Sequence, residues 1–259
     1  MKMLEALVES VSLFGAEIWG WRKEERLDGI QRKYVKWILG LERTTPNYIV
    51  VEEGKLVKIK EKALKRALKY EEKIGTTRKK LVEECWKERK KEWGAGREGK
   101  WARIRRKILE EEGDGTERRE GSREEEENTV QKIIGKIREK EKAERRKKIE
   151  ESTYNREYKK IIKEERAEYL SKRMKQKDRK TIARFRCGNE AREKEYWKAE
   201  EEKVCRLCKK EVESMWHVLK ECEKTGQKEE IEKVLGEDGQ GLIVLRRIEE
   251  ERKKAAEEG

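Results

Sequence analysis

The sequence predicts a mainly α protein: loosely associated helices, a disordered charged linker and one small module built around cysteines. Three observations predict it. Only 34% of the 259 residues are hydrophobic and 49% are charged, against about 45–50% and about 25% in an ordinary globular domain, so one large core is out of reach. Proline occurs once, at Pro46, so little in the chain breaks a helix. All four cysteine and histidine residues beyond position 187 fall within one short stretch, treated below, while glycines gather between Gly75 and Gly121.

Taken in order, Leu4, Leu7, Val8 and Val11 repeat at the helical interval and predict one apolar helix face, with a break at Gly15. A second helix is predicted from Glu24 to Leu39, with Leu27, Ile30, Tyr34 and Ile38 on its apolar side and Gly40 as its stop. Thr45-Pro46 reads as N-cap and first turn of the next. A longer helix over 55–74 carries Leu56, Ile59, Ala63, Ala67, Tyr70 and Ile74 on one side and basic residues on the other. Trp19, Trp21 and Trp37 share faces with aliphatic residues and are expected in the core. These elements make 1–75 a helical region.

Residues 76–129 read as a flexible charged linker, since Gly94, Gly96, Gly99, Gly113, Gly115 and Gly121 punctuate charge blocks such as Glu124–Glu127. In a charged helical connector, 130–180, periodicity resumes at Val130, Ile133, Ile134 and Ile137. It lapses in a run to Glu151 expected to be solvated or disordered, and Tyr154, Tyr158, Ile161, Ile162, Tyr169, Leu170 and Met174 suggest more helix. The cysteine–histidine module covers 181–228, and 229–259 reads as a polar tail of weak helical character. No heptad pattern lasts long enough for a coiled coil.

The net charge is +13, and residues 55–110 hold 21 Lys/Arg against 9 Glu. Such a field favours polyanions, of which nucleic acid is the commonest inside cells; the competing reading is a solvated helix face. The apolar stretch Val8–Trp21 is interrupted by Glu9 and Glu17 and is too short to span a bilayer, so neither a membrane span nor a signal peptide is expected. An odd number of cysteines argues for reduced thiols or metal in an intracellular setting, cytoplasm or nucleus, instead of a disulfide framework.

The segment CRLCKKEVESMWHVLKEC spaces Cys205, Cys208, His217 and Cys222 as C-x2-C-x8-H-x4-C. A Cys-x-x-Cys turn lets two thiolates reach one metal, and His217, the only histidine of the chain, falls where a third ligand is needed. The remaining pair can turn inward if a helix from about Ser214 ends before Cys222. Three thiolates and an imidazole close a tetrahedron with no open position, which predicts structural Zn2+ in a small CCHC zinc knuckle. Val212, Trp216 and Leu219 would supply its minimal core. The competing readings are reduced side chains lying together by chance, and a redox Cys-x-x-Cys, which would need a βαβ setting that is absent here. Cys85 and Cys187 are expected to be ordinary part-buried thiols.

The run TIARFRCGNEAREKEYW (181–197), followed by CRLC and WHVLKEC, resembles the carboxy-terminal end of reverse transcriptases from jockey-type non-LTR retrotransposons. SLFGAEIWGW (12–21), IQRKYVKWILGLERTTPNYIVVEEGK (30–55) and KALKRALKYEEKI (62–74) resemble the end of the polymerase region in the same elements. The likeness covers 1–75 and 150–225. It implies thumb-like helices, a basic connector and a terminal knuckle, with palm, fingers and endonuclease lying before Met1. The family copies RNA into DNA with palm aspartates. The four aspartates here, Asp28, Asp114, Asp178 and Asp238, include no adjacent pair, so no catalytic residue is assigned. The ligand spacing departs from the shorter retroviral C-x2-C-x4-H-x4-C. An aliphatic residue would be expected at Cys187.

The expected function is nucleic-acid binding, with RNA or single-stranded DNA as partner and the remainder of a retroelement polymerase as a second. Lys65, Arg66, Lys69, Arg103, Arg105 and Arg106 are the candidate backbone contacts. Arg184, Arg186 and Arg206, with Trp197 or Trp216, are the candidates to hold a single strand by charge and stacking. The alternative is a zinc-stabilised protein–protein interaction module or scaffold with long charged helices. Catalysis is not expected.

Overall fold

A computed structural model describes residues 4–22, 24–75, 79–94, 99–112, 123–225 and 229–257. Helix dominates, as expected, and the described residues contain no β-strand. The longer helices are α1 (Glu25–Leu39), α2 (Asn47–Gly54), α3 (Ile59–Gly75), α4 (Lys80–Gly94), α5 (Lys100–Glu112), α6 (Arg123–Glu150), α7 (Gln176–Arg186) and α8 (Leu242–Glu257). Among the described residues, no helix is long and apolar enough to cross a membrane.

The chain forms two compact units, one of Met1–Gln31 with Val57–Glu144, the other of Arg32–Leu56 with Arg145–Gly259. These units do not follow the linear segments 1–75, 76–129, 130–180, 181–228 and 229–259. Each unit is assembled from two separate stretches, because buried residues of one stretch find their partners far along the chain.

In the first unit, Trp21, Leu64, Ala67, Leu68, Ile108, Val130, Ile133 and Ile134 make one apolar cluster, and Leu13, Ala16, Ile59 and Ala63 make another. The described part of the expected linker 76–129 is helical, and Ala102 and Ile108 of α5 are buried. Gly75 and Gly94 end α3 and α4 and Gly99 precedes α5; Gly96, Gly113, Gly115 and Gly121 lie outside the described residues. Of the two readings of the run to Glu151, the solvated one holds: it continues α6, and its residues from 138 to 148 are exposed or half-buried. Gly20 crosses α3 so closely that a Cβ there would stand 2.3 Å from the Ala63 carbonyl oxygen.

The apolar faces predicted for the first two helices are not the buried ones. Glu9, Leu13, Ala16 and Gly20 are buried, while Leu7, Val11, Phe14 and Ile18 are exposed. In α1 the buried line is Asp28, Gln31, Val35 and Leu39, and Ile30 is exposed. The reason is polar bonding between elements. The Glu9 carboxylate accepts from Lys62 Nζ at 2.5 Å. Asp28 Oδ1 accepts the Lys60 backbone N–H at 3.3 Å, capping α3 from a distance. The Gln31 amide donates to the Val57 carbonyl at 3.0 Å. Of the tryptophans, Trp21 is buried as expected, Trp19 is half-buried, and Trp37 is 72% exposed.

In the second unit, α7 packs on α8, and Ile182, Phe185, Leu245 and Ile248 are fully buried. The expected polar tail is thus an amphipathic helix with a buried side. The helix suggested between Tyr154 and Met174 reduces to two short turns, Tyr158–Ile161 and Glu168–Leu170. Those tyrosines serve a buried ion pair instead. Glu53, 3% exposed, accepts from Arg186 Nε at 2.6 Å, Tyr169 Oη at 2.6 Å and Tyr158 Oη at 2.9 Å.

Candidate metal centre

The backbone of 204–213 is a tight loop. Val204 and Val212 pair antiparallel, and the Cys205 N–H donates to the Glu211 carbonyl at 2.7 Å. Lys209, at φ 56°, supplies the left-handed residue that closes it. The Leu207 and Cys208 N–H groups serve the Cys205 sulfur, and those of Lys210 and Glu211 serve Cys208. Each sulfur is therefore surrounded by donors that favour a thiolate.

The other two side chains come from one wide helical turn, His217–Glu221, opened by Ser214 Oγ accepting the His217 N–H at 2.8 Å. In an α-helix, residues five apart point about 140° away from one another. Here the Cys222 N–H donates to the His217 carbonyl at 2.8 Å, the i→i+5 bond of a π-turn. That wider turn brings positions 217 and 222 to the same side. The helical turn ends at Glu221, before an extended Cys222, as the x4 spacing is expected to need, and the change of pitch adds to that effect.

Cys205 Sγ lies 3.8 Å from Cys222 Sγ, and Cys208 Sγ lies 3.3 Å from His217 Nε2. All four ligand atoms fall within 4.8 Å of one another, an arrangement that could hold a metal ion. His217 Nδ1 stands 3.1 Å from Glu211 Oε2, which turns Nε2 toward the sulfurs. Burial works against ionisation of Cys208, but its backbone donors, with His217 and Cys205, bring that thiol down to about 7. Burial, with the Cys222 and Glu213 charges, pushes Cys205 up to about 12. A bound cation overrides such a penalty by deprotonating its thiols outright. Of the expected minimal core, Leu219 is buried, whereas Val212 and Trp216 are exposed; Met215 and Val218 fill the place beside Leu219.

The expected nucleic-acid residues separate into two groups. Arg66, Lys69, Arg103 and Arg106 are exposed and Lys65 is half-buried. Arg66 Nη1 donates to the Leu13 carbonyl at 3.0 Å. Arg106 lies 3.8 Å from Glu110. Arg105 is corrected: its guanidinium is fastened to the buried Glu71 at 2.9 Å. Arg186 is corrected too, being 2% exposed and committed to Glu53. Arg184 donates to Glu190 at 2.5 Å and to the Gly40 carbonyl at 3.0 Å, and Arg206 is held by Glu213. Trp197 is 52% exposed, edge-on to the exposed Tyr196 at 5.1 Å. The face of Trp216 is already covered by Lys160 Nζ at 5.1 Å.

Cys187 is fully buried, its thiol raised well above the ordinary range chiefly by that burial and then by Glu53, so it behaves as the small apolar residue its place demands. Cys85 is exposed, not part-buried. The sequence reading missed Glu211, Glu213, Glu190 and Arg252, which surround the ligand group; the recurrence of Leu245, Ile248 and Arg252 at helical spacing was the available signal for the last. No family model, curated protein or solved structure matches this chain.

Proposed function

We propose that Cys205, Cys208, His217 and Cys222 hold one structural Zn2+, forming a CCHC knuckle. The observation that carries this is the 3.8 Å separation of Cys205 and Cys222 Sγ: thiolates about 2.3 Å from a shared tetrahedral centre stand about 3.8 Å apart. Four protein ligands leave no position for substrate, so the metal organises its loop and performs no chemistry.

On that reading the chain is a nucleic-acid-binding carboxy-terminal part of a non-LTR retrotransposon reverse transcriptase, without a polymerase site of its own. The resemblance and the exposed cations Arg66, Lys69, Arg103 and Arg106 support it. A second reading, a protein-docking module, is favoured by the exposed Tyr196–Trp197 pair and by the engagement of Arg186 and Arg206 in ion pairs. A gel-shift titration with single-stranded RNA and DNA separates the two. Nucleic-acid binding is expected to weaken by about 0.7 log units per log unit of salt for each phosphate contacted, and Lys65→Glu, Arg66→Glu and Lys69→Glu together should flatten that slope. No binding at low salt sinks the nucleic-acid reading and leaves docking.

A further inference from the structure

The metal loop is gripped by a helix from the far end of the second unit. Arg252 of α8 is 7% exposed. Its Nη1 donates to Glu190 Oε2 at 3.0 Å, and its Nη2 donates to the Glu190 carbonyl at 3.0 Å and to Glu213 Oε1 at 2.6 Å. Glu213, fully buried, reaches into the Cys-x-x-Cys turn: its Oε2 accepts the Arg206 backbone N–H at 2.8 Å, and its carboxylate accepts Arg206 Nε at 3.0 Å. One turn earlier on α8, Arg247 donates to the Thr225 carbonyl at 2.9 Å, and the Thr225 N–H donates back to the carbonyl of Cys222. The helix thus holds the loop at both ends, beside Cys205 and beside Cys222.

The charges agree with this arrangement. Glu190 and Glu213 face three guanidinium groups, those of Arg184, Arg206 and Arg252. Glu42 also stands 4.0 Å from Arg184, so these groups form one ion-pair network, in which Glu213 and Arg252 tie the Cys-x-x-Cys turn to α8, and removing one partner strands the other.

We propose that Arg252 and Glu213 are positioning residues of the metal site, and that α8 docks in a metal-dependent way, released from Phe185 and Ile182 of α7 when the metal leaves. The inference rests on the zinc reading above. Linkage makes it reciprocal: whatever factor the metal contributes to docking of α8, docking contributes to metal affinity. Arg252 also stacks over the Phe185 ring at 5.5 Å, so release would uncover an aromatic, apolar surface on α7.

The test uses the full chain, zinc-loaded and chelator-stripped, with amide hydrogen exchange read separately over 242–257 and 176–186, and zinc affinity read by competition with a chromophoric chelator. Stripping is expected to speed exchange in α8 about tenfold or more while α7 stays protected. Arg252→Met is expected to weaken zinc binding about tenfold, within the 5–150-fold range usual for coupled sites, and Arg252→Lys to restore part of it. Unchanged α8 protection after stripping overturns the proposal, as does wild-type zinc affinity in Arg252→Met. Loss of protection in α7 as well also overturns it, because α8 then merely follows unfolding of the unit. A wild-type chain that binds no zinc defeats the zinc reading itself, and this inference with it; bound zinc with an indifferent α8 defeats the inference alone.

Discussion

The two units solve the same shortage of apolar residues differently. The first gathers most of its aliphatic side chains into shared clusters, and Gly20 lets two backbones close on one another. Its buried carboxylates pair outward, Glu61 with the 53%-exposed Arg138 and Glu71 with the half-buried Arg105. The second has outward pairs too, but it also buries both members of some: Arg186 with Glu53, and Arg252 with Glu190 and Glu213. Where apolar volume runs short, charge neutralised within the interior and the clustered Cys205, Cys208, His217 and Cys222 take its place. Such an interior is specific but intolerant, because removing one partner strands the other.

Metal removal should mark the widest difference between the units. Structural zinc contributes about 10–16 kcal/mol in small finger peptides, and the first unit contains none of the four ligands. Elemental analysis is expected to find one zinc per wild-type chain, and Cys205→Ser or His217→Ala should abolish it and lower the melting transition of the second unit. The transition of the first should stay in place. Folded wild-type protein without zinc, or both variants with it, would show that the second unit is held by its ion pairs alone.

Breaking the Glu53–Arg186 pair comes next. Arg186→Met leaves a buried carboxylate with two tyrosine donors and no cation, a change worth about 3–5 kcal/mol. The pair also sets a pH dependence. Burial opposes ionisation of Glu53, but the Arg186 charge, with donors from Arg186, Tyr169 and Tyr158, holds its carboxyl below the usual range. A depressed native pKa gives stability that is present above the unfolded value, about 4.3 for Glu, and lost as pH falls through the native one. Wild-type second-unit stability should therefore drop in acid and Arg186→Met should flatten the drop. An unchanged acid limb in the variant would assign that dependence to other groups.

A smaller change tests the first unit alone. Gly20→Ala sets a methyl group against the Ala63 carbonyl, with 2.3 Å available, and either the 16–20 segment or α3 must move. Overpacking of this kind costs about 1–3 kcal/mol. Urea denaturation followed by Trp21 fluorescence should show it, with zinc affinity unaltered; wild-type stability would mean that the two backbones part freely.

How much of this was legible depended on whether the signal was local. The Cys/His group that could hold a metal was readable because a short, specific spacing carried it, and α1, α3 and the apolar residues of α6 because helical repeats did. Helix faces were less readable. Ranking Leu7, Val11 and Ile30 as inward by hydrophobicity failed where Glu9, Asp28 and Gln31 were drawn inside by bonds to Lys62, Lys60 and Val57, some 26 to 53 positions away. No window along the chain contains that information. Arg186 and Arg105 failed for the same reason: a basic residue looks available until its carboxylate is located. The tail was misjudged because Arg252 at a core position of α8 makes that helix look polar.

The finest test turns on the pH sign of a buried carboxylate in the first unit. Asp28 is raised above its ordinary value, chiefly by burial, while the Lys60 and Ile59 backbone N–H groups and the nearby lysine charges pull the other way. A raised native pKa contributes stability that is complete below the unfolded value, about 3.9 for Asp, and fades as pH rises through the native one. This is the reverse of Glu53. At neutral pH the charge of Asp28 is therefore a cost, and what the side chain supplies is an oxygen that accepts from the start of α3. Asp28→Asn keeps an acceptor and discards the charge, so it should leave first-unit stability unchanged or slightly higher at pH 7. Asp28→Ala removes both and should cost about 1 kcal/mol, as loss of a helix cap does. Equal destabilisation by the two substitutions would mean that the charge itself steadies α3, and the contrast in pH response between the units would then disappear.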